Sequence, residues 1–223
     1  MLLIGLTGSI GMGKSTVAQC FVAESVPCYE ADEAVHRLYQ QGGAAVAPLA
    51  KLFPTAIKND AVDRGSLSKL ILKDKAALQQ LEAIIHPLVR ADRLAFLKQQ
   101  AQQEKADKGK AHKVVLDIPL LFEVGAQDEV DVTIVVSAPA EIQKQRVLAR
   151  PAMTEEKFIA ICKRQMPDIE KCRLADFVID NGGTIAQTHK QVQTILKKLE
   201  DWPQRKWHML LAKEAESVKN KQT

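Results

Sequence analysis

At 223 residues and 46% hydrophobic side chains, the chain suits one α/β domain with an inserted lobe, or two small domains, and can bury a sizeable core. The net charge is only +4 and aromatics make up 4%, with no Lys/Arg stripe interleaved with aromatics, so no nucleic-acid partner is expected. Cys20, Cys28, Cys162 and Cys172 include no C-x-x-C pair and the histidines are scattered, which reads as reduced thiols without a zinc site. No apolar run is long enough to span a bilayer and the N-terminus lacks signal-peptide flanks, so the expected location is the cytoplasm, with no membrane partner.

The first element is the apolar run Leu2 to Leu6, a short buried strand. It leads directly into Gly8-x-x-x-x-Gly13-Lys14-Ser15, the phosphate-binding loop pattern, and then into a helix carrying Val17, Ala18 and Phe21. Gly8, Gly11 and Gly13 let the backbone turn and approach phosphate closely. The loop N–H groups and the helix N-terminus form an anion site. Lys14 can reach the β- and γ-phosphates, and the Ser15 hydroxyl can ligate Mg²⁺. Fixed Gly, Lys and Ser offsets between a strand and a helix make a chance glycine turn a poor alternative, and a nucleoside triphosphate is the expected ligand.

Val26 to Glu30 reads as a second strand, with Pro27 confined to its start or edge. Glu30 and Asp32 follow at its C-terminal end, the edge at which ligands bind in open parallel sheets. Two readings of Asp32 stand side by side: a carboxylate facing phosphate, or an N-cap for the helix Glu33 to Leu38. Residues 44 to 112 contain no convincing strand. Leu67, Leu70, Ile71, Leu78, Leu81 and Ile85 mark one amphipathic helix with Ser66 near its cap, ended by Pro87, which begins the next. The second helix carries Val89, Leu94 and Leu97 and fades into a polar stretch, Gln99 to Lys110. This helical region either covers an acceptor substrate or is a plain structural pair.

Lys113 to Asp117 is an apolar strand ending in a carboxylate, the form of the element whose Asp orients Mg²⁺ in nucleoside triphosphatases. Asp131 to Val136 is the next strand. Glu141 to Arg150 reads as a helix with Arg146 and Arg150 one turn apart on one face. Residues 151 to 173 continue as helical and basic, either a lid that closes over triphosphate or a solvated helix face. Ala175 to Asp180 is the last strand, Val192 to Leu199 a closing helix, and the polar tail from Asp201 has no assigned function.

These segments together resemble the dephospho-coenzyme A kinase family over residues 3 to about 195. The resemblance rests on Gly5 to Thr16, Ala31-Asp32 with His36, Asp63-Arg64 and Leu67, Ile85-His86-Pro87, Asp117-Ile-Pro-Leu-Leu-Phe-Glu123, Gln143 to Arg150, Gln165, and Ala175 to Gly183. It implies transfer of the ATP γ-phosphate to the ribose 3′-hydroxyl of 3′-dephospho-coenzyme A, with Mg²⁺ as cofactor. Catalysis is expected from Lys14, Asp32 as base, and Arg150. Gly8, Gly11, Met12, Gly13, Lys14, Ser15, Thr16, Arg146 and Asn181 are expected to bind ATP, and Ser15 and Asp117 the metal. Asp32, Arg64, His86, Arg90 and Leu120 are expected at the acceptor, although His86 could equally cap the helix that Pro87 begins. Two positions depart from the family pattern: Glu30 stands where it has Asp, and Pro151 where it has an acidic or polar residue.

The expected architecture is a three-layer α/β phosphate-loop fold with a mostly parallel five-stranded sheet. Its core is 1–43 and 113–200, its helical acceptor lobe about 44–112, its lid about 141–173 and its tail 201–223. ATP and dephospho-coenzyme A are the expected partners of a monomer or weak homo-oligomer. Rival readings are another small-molecule kinase and a nucleotide-dependent switch; the second is disfavoured because Asp-Asn-Gly-Gly stands after the last strand in place of Asn-Lys-x-Asp.

Overall fold

The computed structural model describes residues 1–72, 74–106 and 112–220. The chain divides into two compact units, Met1–Tyr29 with Gln100–Thr223, and Glu30–Gln99.

The first unit is built on β1 (Leu2–Thr7), β2 (Cys28–Glu30), β5 (Lys113–Asp117), β6 (Val132–Ser137) and β7 (Phe177–Asp180), in the order β2-β5-β1-β6-β7. β1 pairs parallel with β5 and β6, and β6 with β7. The register sets Ile4 opposite both Val115 and Val132. A parallel sheet covered on both faces needs unbroken apolar runs rather than alternation. Leu2, Leu3 and Ile4 are accordingly all fully buried, each contributing roughly 2 kcal/mol. One face packs Leu2, Ile4, Leu6 and Val115 against Val17 and Phe21 of α1 (Lys14–Ala23) and Val192 and Ile195 of α9 (Ile185–Lys198). On the other face Leu121 and Val130 come so close to Gly5 that a Cβ there would collide with them.

Three further helices of this unit connect the strands: α6 (Ala140–Leu148), α7 (Glu155–Cys162) and α8 (Asp168–Leu174). α6 stops at Leu148, so Arg150 lies beyond it and does not share a helical face with Arg146 as the periodicity suggests. The cause is Pro151, which disfavours helical backbone in the residue before it. Arg150 to Met153 instead form a turn with Pro151 second and Ala152 third. Ala152 is left-handed (φ 59°), and the Met153 N–H donates to Arg150 O (3.2 Å). Nor are residues 151–173 one basic helical surface, because Lys171 is fully buried.

The tail from Asp201, given no role by the sequence, forms α10 (Lys206–Asn220). Its start is stapled to the sheet by Asp131, whose carboxylate accepts from the N–H groups of Leu3, Arg205 and Lys206. The Trp202 indole donates to Asp131 O (3.0 Å) and its ring packs on Phe177. No helix of the described residues is long and apolar enough to cross a membrane, and the four cysteines are free.

The second unit holds α2 (Ala31–Tyr39), α3 (Val46–Leu52), β3 (Ile57–Lys58), β4 (Ala61–Val62), α4 (Arg64–Ile71) and, up to Gln99, α5 (Lys75–Ala106). Its own core gathers Leu38, Leu49, Phe53, Val62, Leu67, Leu81 and Ile85. The antiparallel β3–β4 pair corrects the strand-free reading. Its two-residue turn, Asn59-Asp60, has both residues at positive φ, as a tight hairpin requires, in residue types that tolerate it.

The single helix expected over Leu67 to Ile85 is two. Asp63 caps α4 by accepting the N–H of Ser66 (2.9 Å), which lies near the cap as expected, and Asp74 starts α5 by accepting the N–H groups of Ala76 and Ala77. Pro87 does not end a helix; it lies inside the continuous α5. A proline there forfeits one backbone hydrogen bond. The apolar stripe Leu81, Ile85, Leu88 and Val89 continues across it into one core, which favours an unbroken helix. Of the polar stretch after Gln99, residues 107–111 lie outside the described residues.

Hydrogen bonds from the Lys58 ammonium, then from the Ser66 hydroxyl and N–H, hold the Asp63 carboxyl well below the usual carboxylate range. A lowered folded-state value means the cap contributes fully above the unfolded value of 3.8 and fades as pH falls through the folded one. Asp63→Asn is therefore expected to lower the thermal midpoint at pH 6, with the gap to the parent chain closing below about pH 4. A gap unchanged down to about pH 2 would exclude the ionised cap.

Candidate active site

The loop between β1 and α1 takes the form that its glycines allow. Gly11 and Gly13 have φ of 79° and 85°, a region that side chains disfavour. Space is equally decisive. A Cβ on Gly13 would sit 1.9 Å from Asn181 Nδ2, one on Gly11 2.4 Å from Val147 Cγ2, and one on Gly8 2.7 Å from Val136 O. The glycines thus serve close packing against β6, α6 and Asn181 as well as an approach to phosphate.

Lys14 is the first residue of α1, and its ammonium makes an ion pair with Asp117, the last residue of β5. Parallel pairing sets Asp117 opposite Leu6 on the neighbouring strand, so the loop and the carboxylate leave the same sheet edge. Asp117 is only 5% exposed, a burial that an ionised carboxylate tolerates beside a cation. Ser15 is exposed at the helix start, followed by half-buried Thr16. No three His, Cys, Asp or Glu side chains among the described residues converge as a metal cage. A Mg²⁺ ion held mainly by phosphate oxygens and water requires only one or two protein oxygens, and Ser15 and Asp117 are of the right chemistry.

Asn181, directly after β7, is buried and engaged with the loop. Its Nδ2 donates to Met12 O (2.9 Å), its Oδ1 accepts from the Thr188 hydroxyl (3.0 Å), and its carbonyl accepts from Arg146 Nη2 (2.9 Å). The second terminal nitrogen of Arg146, Nη1, is buried without a hydrogen-bond partner, next to Gly13. Such an orphan donor beside an anion-binding loop is a natural contact for phosphate. Arg150 is exposed in its turn. Leu120 is exposed after β5, while Glu123 nearby pairs with the buried Lys171 (2.8 Å). Burial raises the Glu123 pKa, but the Lys171 ammonium and the Met166 N–H outweigh it and hold the carboxyl below its usual value.

In the second unit, Asp32 lies in the first turn of α2, two residues after β2. The N-cap position belongs to Glu30, whose side chain makes no cap hydrogen bond, so the N-cap reading of Asp32 falls. Asp32 is exposed. His86 and Arg90 are exposed one turn apart on α5, and because His86 sits mid-helix it caps nothing. Arg64 starts α4 with its guanidinium 5.8 Å over the Tyr39 ring, a cation–π contact that steadies it. Sequence reasoning named Gln143 and Gln165 without a role; both hydrogen-bond to the loop residue Ile10. Sequence separations of 133 and 155 residues hide such contacts until the topology is known.

A parallel sheet that launches a Gly-Lys-Ser loop from one strand and a buried Asp from its neighbour is the construction of the phosphate-loop nucleoside triphosphatases and kinases. The dephospho-CoA kinase family model matches residues 2–187. The chain is 52% identical over 199 residues to a dephospho-CoA kinase of Mesorhizobium japonicum, covering 89% of this chain and 97% of that one. It is 47% identical over 203 residues to that of Brucella melitensis, covering 91% and 98%. Among solved structures, TT1252 from Thermus thermophilus superposes with a TM-score of 0.70 at 34% identity, over 89% of this chain and 97% of that one. A dephospho-CoA kinase from Campylobacter jejuni shares the fold, with a TM-score of 0.59 at 24% identity over 89% and 97%. The chain belongs to the dephospho-CoA kinase family.

Proposed function

We propose that this chain transfers the γ-phosphoryl group of ATP to the 3′-hydroxyl of 3′-dephospho-coenzyme A, giving ADP and coenzyme A. The observation that carries this is the family match over residues 2–187, with the loop motif standing as Lys14 against buried Asp117. On this reading Lys14 exchanges Asp117 for the β- and γ-phosphates, while the loop from Gly8 to Thr16, apart from the Ile10 N–H, offers backbone donors. Ser15 and Asp117 would hold Mg²⁺, which neutralises charge on the phosphates. Asp32 accepts the proton of the attacking hydroxyl, its exposed carboxylate open to a substrate. Arg146 contacts phosphate through its orphan Nη1, with Arg150 added as the turn closes. Asn181 holds the loop through Met12 O and stands with Met12, Gly13 and Arg146 on the ATP side of the site.

Arg64, His86, Arg90 and Leu120 are assigned to the acceptor: two guanidiniums for its diphosphate, an apolar surface for its pantetheine arm. Residues 44–112 act as the acceptor lobe and 141–173 as the lid. The enzyme acts in the cytoplasm as a monomer or weak homo-oligomer, without nucleic-acid or membrane partners.

Incubation with ATP, Mg²⁺ and a panel of acceptors tests this by product mass and phosphorus NMR. Dephospho-coenzyme A is expected to stimulate ADP release far beyond AMP, adenosine or shikimate, with the new phosphate on the 3′-oxygen. Equal phosphorylation of AMP, or phosphate on another oxygen, leaves only a general kinase.

A further inference from the structure

Ile10 sits at the crown of the phosphate loop, and both polar groups of its backbone are held by glutamine side chains. Its N–H donates to Gln165 Oε1 (3.0 Å) and its carbonyl accepts from Gln143 Nε2 (2.8 Å). The two glutamines come from opposite ends of one excursion of the chain. Gln143 is in α6, before the Arg150 turn and α7; Gln165 follows α7, before α8. The adjoining loop residue is fitted to the same wall, since a Cβ on Gly11 would strike Val147 Cγ2 and Gln143 O.

The Gln165 end is itself anchored. The next residue, Met166, donates its N–H to Glu123 Oε1 (2.9 Å), and Lys171 pairs with the same oxygen (2.8 Å). Asp168 accepts from the Ser137 hydroxyl at the end of β6 (2.5 Å). The segment from Gln165 to Lys171 therefore ties the loop, the turn after β5 and the end of β6 together. Lys171 is fully buried, and a buried ion pair resists displacement because losing either partner strands the other charge.

We propose that Gln143 and Gln165 are positioning residues which fix the phosphate loop through the backbone N–H and carbonyl of Ile10, holding it between α6 and the anchored segment that follows α7. The consequence is specific. The Ile10 N–H is turned to Gln165 and is not one of the donors that meet phosphate; it sets the curvature that aims the remaining ones.

The inference rests on the kinase reading, and the test separates the two. Turnover of the parent chain with ATP and dephospho-coenzyme A is measured first, and its absence counts against the kinase reading alone. Gln143→Met and Gln165→Met keep side-chain length and remove the polar groups. Loss of one modest hydrogen bond corresponds to about a three- to tenfold change in binding. Each single variant is expected to raise KM for ATP by that factor, with KM for dephospho-coenzyme A within about twofold of the parent. Because both hold the backbone of one residue, the double variant is expected to fall short of the product of the singles.

Unchanged KM for ATP in folded variants, an equal rise in both KM values, or strictly multiplicative effects would overturn the proposal. Hydrogen exchange in the parent chain without nucleotide gives a check independent of mutant folding. The Ile10 amide is expected to be protected, and exchange at the rate of an open loop amide also overturns it.

Discussion

Lys14→Ala is expected to lower kcat/KM by about 10³-fold in a chain that still folds. The loop amides are fixed dipoles, but Lys14 alone brings a full charge from the loop to the β- and γ-phosphates, and removing such a group typically costs 10²- to 10³-fold. The fold survives because no core layer rests on Lys14. Its neighbours Val17, Ala18 and Phe21 anchor α1 to the sheet, and the glycines that shape the loop are untouched. Substitution also removes the cation beside buried Asp117, so some loss of thermal midpoint accompanies the kinetic loss. Near-parental turnover in a folded Lys14→Ala chain would sink the nucleotide-site assignment. The measurement is coupled ADP release, with circular dichroism to establish folding.

The second large effect is expected at Asp32. Asn retains size and shape but cannot accept a proton, so Asp32→Asn should lower kcat by about 10² to 10⁴, the range for a lost general base. KM for ATP should stay within about twofold, since the donor is held by loop residues that the substitution does not touch. Glu30→Gln should be milder: Glu30 is the residue before α2, at the end of β2, whereas Asp32 opens the helix with its carboxylate exposed. A greater loss in Glu30→Gln than in Asp32→Asn would show that the base is assigned to the wrong carboxylate.

What was legible in the sequence was what is local or periodic. The loop was readable because Gly, Lys and Ser hold fixed offsets within eight residues, and the central strands because burial on both faces demands unbroken apolar runs. Three misreadings share another cause, a local rule overridden or a signal too short to register. β3 and β4 are two residues each, and their turn is Asn-Asp rather than the commoner Asn-Gly. Pro87 did not stop α5 because the same apolar stripe continues beyond it. Arg150 was extrapolated along a helix that ends two residues earlier, ahead of Pro151. Lys171 looked like one more surface lysine; only the folded topology brings Glu123 to it. The tail offered no pattern either, since its docking depends on Asp131, seventy-odd positions away.

The strand order has a consequence for the newborn chain. β1 leaves the ribosome well ahead of its partners, which begin at Lys113 and Val132. At about 5 to 20 residues per second, the wait before both neighbours exist is on the order of ten seconds. During it, Leu2 to Leu6 is an apolar segment with both edges open, while Glu30–Gln99 is complete as one continuous stretch. The hairpin and helices of that stretch make contacts close in sequence, which form quickly, whereas the parallel pairing of β1 must close long loops first. The run that launches the phosphate loop is therefore the strand that waits through the longest stretch of synthesis for its partners, and the one most in need of shelter meanwhile.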